Sequence, residues 1–480
     1  MAFRMTFTAG CLALTGALIA ACGGSAVDEE SSSTDSLQNE RVFPNPPAPP
    51  PTLEDFNGDF PSFMARLVAL KPAVMARQQA LLDARYDLSN KPSRTCKDSK
   101  GKPVQGGTRM KLPPGVTWSR LSQMTPAQVK ALDLFPAGFM PLPHANHPEG
   151  GMLFPPSTIL ELKTQTGRDL QRFDLDFDLP EHFLPSFPPA IFLTTRKDLG
   201  DVSRGKLVTT QNYFGLFKDI LNVKQLDGLR LLVTPFAQQQ FNLTDDRRSA
   251  HPSLGVACLD CHVNGSTNGA NHLVGDIRPQ AFRNRIETPS LRGLNVQKIF
   301  GSQRALTSVE DFTEFEQRAA YFDGDIDKAA KKGINPLDRA SQVHHMAEMQ
   351  KLFAFPPSKL GVLGKLDTAQ ATPSELRGQN VFFGKGRCAT CHAGDDFTDN
   401  SMHDLQMERF YEHRMINGQQ TKADGPIKTF TLRGIKDSAP YFHDGRLLTL
   451  EDTVEFFNLV LELGLSEPEK DDLTAYLCAI

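Results

Sequence analysis

Two copies of one short cysteine motif constrain what this 480-residue chain can fold into. The pattern C-x-x-C-H occurs at 258–262 and again at 388–392. In this pattern two thiols can add to the two vinyl groups of a haem, and the adjacent histidine can bind the iron, which is the attachment signature of haem c. Zinc sites and thiol redox pairs also use C-x-x-C, but neither requires a histidine directly after both pairs. The sequence therefore predicts two covalently bound haem c groups, attached to Cys258, Cys261, Cys388 and Cys391, with His262 and His392 as iron ligands.

The N-terminus indicates export. Arg4 is followed by 23 residues without a charge, from Met5 to Val27, and the apolar part ends in Ala20-Ala21-Cys22. This resembles a bacterial lipoprotein signal that is cleaved before Cys22, with lipid added to its sulfur. An ordinary signal peptide or an uncleaved anchor is the alternative. We expect a lipid-anchored protein of the periplasm or cell envelope.

The overall charge excludes one class of partner. Lys and Arg number 52 against 56 Asp and Glu, so the net charge of −4 argues against a dedicated nucleic-acid binder. Aromatic residues are unequal, with 33 Phe, 6 Tyr and 1 Trp. Phenylalanine has no polar atom, which suits dry packing against a porphyrin, although an ordinary apolar core is the alternative.

Local signals divide the chain into five segments and predict a mainly α fold. Residues 1–21 are a signal peptide, 22–55 a flexible Ser/Pro-rich tether, and 56–240 an additional N-terminal region of uncertain fold. Two cytochrome c-like haem domains follow, at 241–370 and 371–480.

Helix caps support the second haem domain. The capping box Thr372-Pro373-Ser374-Glu375 opens a helix towards Phe383, and Ser466 can cap a helix that runs through Leu477. Within the N-terminal region, residues 63–82 read as helix and 229–235 as a strand.

Several strings lie in a fixed order around the two haem motifs. They are E-T-P-S-L at 287–291, Y-F-D-G at 321–324, N-P-L-D at 335–338, F-T-D at 397–399, T-L-R-G at 431–434 and A-P-Y-F-H-D-G at 439–445. Over roughly residues 250–480 this order resembles the bacterial di-haem cytochrome c peroxidase and MauG superfamily. A long region before the first haem also occurs in rubber oxygenases and in the BthA-like subgroup, which the chain resembles in that respect.

The resemblance implies a role for each haem. The first haem would be the peroxidatic one, and the second would transfer electrons. Asp338 stands in the slot of the family's N-P-V-E glutamate, which shuttles a proton to bound peroxide, although a surface aspartate at a helix start is the alternative. His344 and His345 are further candidates for proton carriers or distal ligands. Phe322 replaces the family's inter-haem tryptophan, so electron transfer through it would be tunnelling rather than hopping.

The far side of the second haem departs from the family. Relatives hold Met or Tyr fourteen residues after the histidine of Y-F-H-D-G, and counting from His443 gives Phe457, which cannot bind iron. The axial ligand sets the redox potential and the coordination state, so both should be altered. Nearby methionines that could substitute are Met402, Met407 and Met415.

Two smaller sites remain open. The family binds calcium between its domains, and the matching positions are Glu287 by its side chain and Ser438 and Pro440 by their carbonyl groups. An empty polar seam is the alternative. Cys96 and Cys478 are left over in an oxidising compartment, either as a disulfide or as two inert thiols.

The function expected from these residues is a di-haem c-type oxidoreductase that reacts with hydrogen peroxide at the first haem and exchanges electrons through the second. Its partner would be a small redox protein donor, cytochrome c or cupredoxin, or a protein substrate of a MauG-like reaction. An electron-transfer cytochrome without peroxidase activity and a rubber-oxygenase-like haem dioxygenase are the alternatives. Asp338 favours peroxide use, whereas the loss of Met at Phe457 favours the MauG-like or oxygenase variants.

Overall fold

Helices dominate the described part of the chain. The computed structural model describes residues 60–146, 151–168, 170, 178–235, 256–273, 285–303, 305–316, 339–412, 415–416, 419–420 and 424–480. The α-helices are α1 Phe60–Arg85, α2 Trp118–Leu121, α3 Pro126–Ala131, α4 Pro156–Thr166, α5 Tyr213–Phe217, α6 Val223–Val233, α7 Cys258–Cys261, α8 Val309–Glu316, α9 His344–Gln350, α10 Pro373–Phe383, α11 Leu450–Val460 and α12 Glu467–Ala479. A π-helical turn at Arg339–Val343 precedes α9.

The strands are short and form four small antiparallel sheets within these residues. They are β1 Pro92–Lys97, β2 Pro103–Gln105, β3 Gly151–Leu153, β4 Asn271–Leu273, β5 Arg285–Glu287, β6 Met402–Asp404, β7 Met415–Ile416, β8 Gln419–Gln420 and β9 Pro426–Lys428. The pairings are β1–β2, β3–β4–β5, β6–β9 and β7–β8. In the three-stranded sheet His272 pairs with Met152 on one side and Ile286 on the other. The predicted mainly α character is therefore confirmed.

Two crossing helices frame the second haem motif, as the sequence predicts. Helix α10 begins at the Thr372–Glu375 capping box, and α12 begins at the corresponding box of Ser466 and Glu469. The helices pack closely where Gly378 meets α12, because a Cβ at position 378 would overlap the carbonyl oxygen of Asp472. Glycine at this position therefore sets how closely the two helices approach.

The first part of the N-terminal region shares a core with the second haem segment. Leu82, Phe139, Phe456 and Tyr476 are fully buried in one apolar cluster. The Tyr86 hydroxyl donates a hydrogen bond to the carbonyl oxygen of Arg446 (2.8 Å). A disulfide joins Cys96 in β1 to Cys478 in α12, which resolves the choice that the sequence left open.

The later part of the N-terminal region packs on the first haem segment instead. The predicted strand at 229–235 is wrong, because Val223–Val233 forms helix α6 behind a capping box of Asn222 and Gln225. A short apolar run does not distinguish a buried strand from a buried helix, and packing decides. Helix α6 lies against α9, and a Cβ on Gly228 would overlap the carbonyl oxygen of His345.

Within the described residues, no helix combines the length and the apolar character that crossing a membrane requires. Cys22 and the expected signal peptide lie outside these residues.

Candidate functional site

The two C-x-x-C-H motifs have the same hydrogen bond on their histidines. His262 Nδ1 donates to the carbonyl oxygen of Pro289 (2.8 Å), and His392 Nδ1 donates to the carbonyl oxygen of Phe397 (2.9 Å). A proton fixed on Nδ1 leaves the lone pair of Nε2 available for a metal. Both imidazoles are therefore prepared as iron ligands in the same tautomer.

Burial keeps the motif side chains uncharged. It lowers the pKa of both His262 and His392 below the usual range, although the backbone carbonyl contacts oppose this shift. It raises the pKa of the Cys258 and Cys388 thiols to about 12, and all four motif cysteines are free. Neutral thiols and neutral imidazoles are the forms that covalent haem attachment uses.

A large cavity opens beside the second motif, and we call it the C-terminal cavity. Water-sized molecules can occupy about 290 Å³ of it. Cys388, Cys391 and His392 form one wall, and Phe457 of α11 also lines it. Its lining is mostly apolar, as a site for a macrocycle should be. Pro289, whose carbonyl oxygen accepts the hydrogen bond from His262, also lines the C-terminal cavity.

Unsatisfied polar atoms on this cavity fit a ligand with polar edges. Among the described residues, Ser266 Oγ, Arg433 Nε, Tyr441 Oη and both ring nitrogens of His443 are buried without a hydrogen-bond partner. All four side chains line the C-terminal cavity. Buried polar groups without partners are costly, so such a group points to a ligand. An apolar porphyrin with two carboxylate arms and an iron matches both the apolar lining and these atoms.

Neither candidate methionine with a described side chain lines this cavity. Met402 lies in β6, and Met407 is buried in the shared core. Neither contributes to the lining, whereas Phe457 does. The side chain of Met415 lies outside the described residues.

The residues expected at the calcium site all belong to the lining of the C-terminal cavity. Glu287, Ser438 and Pro440 all line it. Glu287 is buried, accepts a hydrogen bond from Thr267 Oγ1 (3.2 Å), and donates its backbone N–H to the carbonyl oxygen of His443 (3.0 Å). Burial raises the pKa of the Glu287 carboxyl well above its usual range. A buried acid in this position would be stabilised by a proton or by a cation.

The expected acid–base residues fall partly outside the described chain. Asp338 and Phe322 lie outside it. His344 Nδ1 lies 3.4 Å from Glu310 Oε1, and His345 Nδ1 lies 2.8 Å from Asp227 Oδ2. Each histidine of this pair therefore has a carboxylate neighbour.

Sequence reasoning missed a buried lysine on the C-terminal cavity. The Lys428 ammonium group is bonded to Gln297 Oε1 and lies 4.7 Å from the Phe430 ring centre. Burial lowers the pKa of Lys428 to about 7. Nothing in the sequence marks this residue, because its burial depends on Gln297, which is distant along the chain.

Comparison with known proteins supports the same class of molecule. No family model matches the chain. It is 32% identical over 115 residues to the methylamine utilization protein MauG of Methylorubrum extorquens, covering 21% of this chain and 33% of that protein. It is 30% identical over 139 residues to the cytochrome c551 peroxidase of Nitrosomonas europaea, covering 28% and 41%. The matches thus span about a third to two-fifths of the length of these curated relatives.

A solved structure shows a more distant likeness. A MauG-like protein associated with microbial copper homeostasis aligns over 63% of this chain and 94% of its own, with 18% identity and a TM-score of 0.37. The likeness to this class of protein therefore rests on the paired haem-attachment motifs and on the curated relatives. On these two observations, the chain is similar to the di-haem cytochrome c peroxidases and MauG proteins over the matched residues.

Proposed function

We propose that this protein reduces hydrogen peroxide at a haem held by His262 and exchanges electrons through a second haem held by His392, as a cytochrome c peroxidase or a MauG-like oxidoreductase. One observation carries the proposal. The carbonyl group that orients His262 belongs to Pro289, and Pro289 lines the cavity of His392. A short route of this kind supports electron exchange between the two sites.

The chain's own residues would bind the haems and move protons. The bound haems would supply the redox chemistry by which peroxide, two protons and two electrons give two molecules of water. His262 Nε2 and His392 Nε2 would hold the iron atoms, and the carbonyl groups of Pro289 and Phe397 fix the ring orientations. The Asp338 carboxyl would carry the proton between the oxygen atoms of peroxide.

Stoichiometry with peroxide tests this function. The purified di-haem protein is reduced fully and titrated with hydrogen peroxide without oxygen. We expect both haems to be oxidised, with two electrons consumed per peroxide. The loss of the absorption bands of the reduced haems measures this oxidation. An electron-transfer cytochrome would stay reduced on the same timescale. Consumption of oxygen without a reaction with peroxide would instead indicate an oxygenase.

We expect Phe457→Met to change the second haem to His/Met coordination. Phe457 lies on the same cavity as His392, at the offset where relatives hold an iron ligand. The thioether should raise the redox potential of that haem and give the near-infrared band of Met-ligated iron. Phe457→Tyr should give a MauG-like site instead.

Phe456 provides the matched control for this substitution. It is fully buried, packs against Phe139 and Phe442, and is not part of the cavity lining. Phe456→Met should leave both haem spectra unchanged. A wild-type spectrum that already shows Met coordination would contradict the proposal for Phe457.

Calcium at the edge of the C-terminal cavity is part of the proposal. The Glu287 carboxylate and the carbonyl groups of Ser438 and Pro440 offer the oxygen ligands that calcium prefers. The calcium ion would neutralise the negative charge of the Glu287 carboxylate, which removes the cost of burying that charge. Metal analysis of the purified protein before and after chelation tests this site.

We also propose that the protein works in the periplasm or cell envelope, anchored by lipid on Cys22. Covalent haem c and the Cys96–Cys478 disulfide are both consistent with an oxidising compartment outside the cytoplasm. Its electron donor would be a small cytochrome c or a cupredoxin, with a protein substrate as the MauG-like alternative.

A further inference from the structure

Two carboxylates and one imidazole converge where helices α8 and α9 meet. They belong to Glu310 in α8 and to His344 and Glu348 in α9, and we call them the Glu–His–Glu cluster. One nitrogen or oxygen atom of each side chain lies within 4.8 Å of the corresponding atoms of the other two. His344 and Glu348 are four residues apart in one helix, so they share a face of it. Three atoms that can bind a metal are therefore brought together from two helices.

Buried contacts fix the two helices that carry the cluster. Val309 of α8 and Ala347 of α9, each next in sequence to a member of the cluster, are buried in one apolar core. The Gln350 side-chain amide of α9 donates a hydrogen bond to Thr313 Oγ1 of α8 (2.9 Å). The backbone of the cluster is therefore preorganised, so binding an ion requires only small movements of side chains.

The spacing inside the cluster fits metal ligands better than a hydrogen bond. His344 Nδ1 lies 3.4 Å from Glu310 Oε1. A hydrogen bond between such groups is usually about 2.7–2.9 Å long, and the neighbouring pair of His345 and Asp227 has this length (2.8 Å). Two ligand atoms that each lie about 2.0–2.1 Å from one tetrahedral zinc ion are about 3.4 Å apart. The distance between His344 and Glu310 is therefore the one that a shared zinc ion requires.

Lys351 occupies the position of a cation beside the two carboxylates. Its ammonium group lies 3.4 Å from both Glu310 Oε1 and Glu348 Oε1. Burial alone would raise the pKa of Glu310, but the backbone N–H of Glu310, Lys351 and His344 outweigh burial and hold that pKa below its usual range. Long ion pairs between partly exposed side chains contribute little to stability. A divalent ion would balance both carboxylates and release Lys351 to solvent.

The cluster is open to solvent, so an ion can enter it. The side chains of His344 and Glu348 are 41% and 39% exposed. A solvent-open pocket of about 510 Å³ lies beside the cluster and is lined by Ser308, Glu310, Ala340 and His344. The π-helical turn Arg339–Val343 ends directly before His344, and such turns are frequent at functional sites.

We propose that Glu310, His344 and Glu348 bind one zinc ion, through one carboxylate oxygen of each glutamate and Nδ1 of the histidine. Zinc accepts imidazole nitrogen together with carboxylate oxygen, whereas calcium and magnesium take oxygen ligands. Three protein ligands leave the fourth tetrahedral position for a water molecule. None of the three side chains lines the C-terminal cavity, so this site is separate from the calcium site proposed at Glu287. It does not depend on the reaction with peroxide.

Zinc titration of the purified, untagged di-haem protein tests the site. The protein is freed of bound metal by chelation, returned to a buffer that contains excess calcium, and titrated with zinc chloride by calorimetry. We expect one zinc ion to bind per chain in the presence of this calcium. X-ray absorption at the zinc edge should show nitrogen and oxygen ligands at about 2.0–2.1 Å, together with the scattering signature of an imidazole.

Variants of the ligands make the titration specific. His344→Gln and Glu348→Gln should each weaken zinc binding at least about 100-fold, because even a group that only orients a ligand contributes roughly 10- to 100-fold. His344→Gln should also remove the imidazole signature. His345→Gln is the matched control, since His345 is the next residue of α9 and its Nδ1 contacts Asp227 instead. This variant should bind zinc as the wild-type protein does.

Removing the competing cation should have the opposite effect. Lys351→Met keeps an unbranched side chain in α9 but takes away the ammonium group beside the two carboxylates. Zinc should then bind about fivefold more tightly, the upper end of the range for an exposed ion pair. A gain in affinity cannot result from a folding defect, so this variant tests the site even where a ligand variant is unstable.

Four results would overturn the proposal. They are a wild-type protein that binds no zinc, zinc binding that is unchanged in both ligand variants, displacement of the zinc by excess calcium, and unchanged or weaker binding in Lys351→Met. The last result would show that the cluster is only a network of ion pairs. Haem content and the far-ultraviolet circular dichroism of each variant are compared with the wild-type protein, which separates loss of a ligand from loss of the fold.

Discussion

Replacing Cys388 and Cys391 together by alanine should leave the purified protein with one covalent haem instead of two. The two thiols lie on the wall of the C-terminal cavity beside His392. Without them, a haem in this cavity has no covalent link to the chain. The measurement is haem content per chain after acid–acetone washing, which removes haem that is not covalently bound.

Matched variants make this result specific. Cys258→Ala with Cys261→Ala should remove the other haem. Cys96→Ala with Cys478→Ala should remove only the disulfide and retain both haems. Two haems surviving the wash in the Cys388 and Cys391 variant would refute the assignment of that motif.

Loss of this haem should also weaken the fold around it. The cavity is lined by residues from α10, α11 and α12, and it leaves buried polar atoms of Tyr441 and His443 without partners. An unfilled cavity and unpaired polar groups both lower stability. The thermal midpoint of the variant should therefore fall below that of the wild-type protein.

Local signals explain what the sequence predicts correctly. Thr372, Thr449 and Ser466 each cap the helix that follows, because a cap depends on residues three positions apart. The haem motifs are equally local, with five consecutive residues supplying both thiols and the iron ligand. Such features do not depend on how distant parts of the chain pack, so the sequence alone predicts them.

Long-range packing explains what the sequence does not predict. The Asp452 carboxylate accepts hydrogen bonds from the backbone of Arg109 (3.0 Å) and Met110 (3.2 Å), more than 340 residues earlier. No local pattern links these positions. The segment 229–235 is read as a strand for the same reason, since the helix that contains most of it, Val223–Val233, depends on packing against α9.

The candidate site divides along the same line. The sequence identifies His392 and counts to Phe457, and the structure brings both to one cavity. The sequence contains no sign that Lys428 is buried or that Leu363 adopts a left-handed backbone, because both depend on neighbours from other segments.

Asp338→Asn should lower peroxide turnover by about 10²-fold or more while both haems stay bound, the usual scale for a lost general acid–base. The amide keeps the size of the side chain but cannot carry a proton between the two peroxide oxygens. Asp338→Glu keeps the acid and restores the length found in the family, so it should retain most of the activity. The measurement is kcat/KM for peroxide together with the haem content and the pH profile.

Two histidines supply the controls for this variant. The ring nitrogens of His344 and His345 on α9 already have carboxylate neighbours, Glu310 of α8 and Asp227 of α6. His344→Gln and His345→Gln should therefore change turnover far less than Asp338→Asn. If Asp338→Asn keeps full activity and one histidine variant loses it, the proton carrier is that histidine. Activity in all three variants would assign the proton transfer to water, because no side chain of this group would then be required.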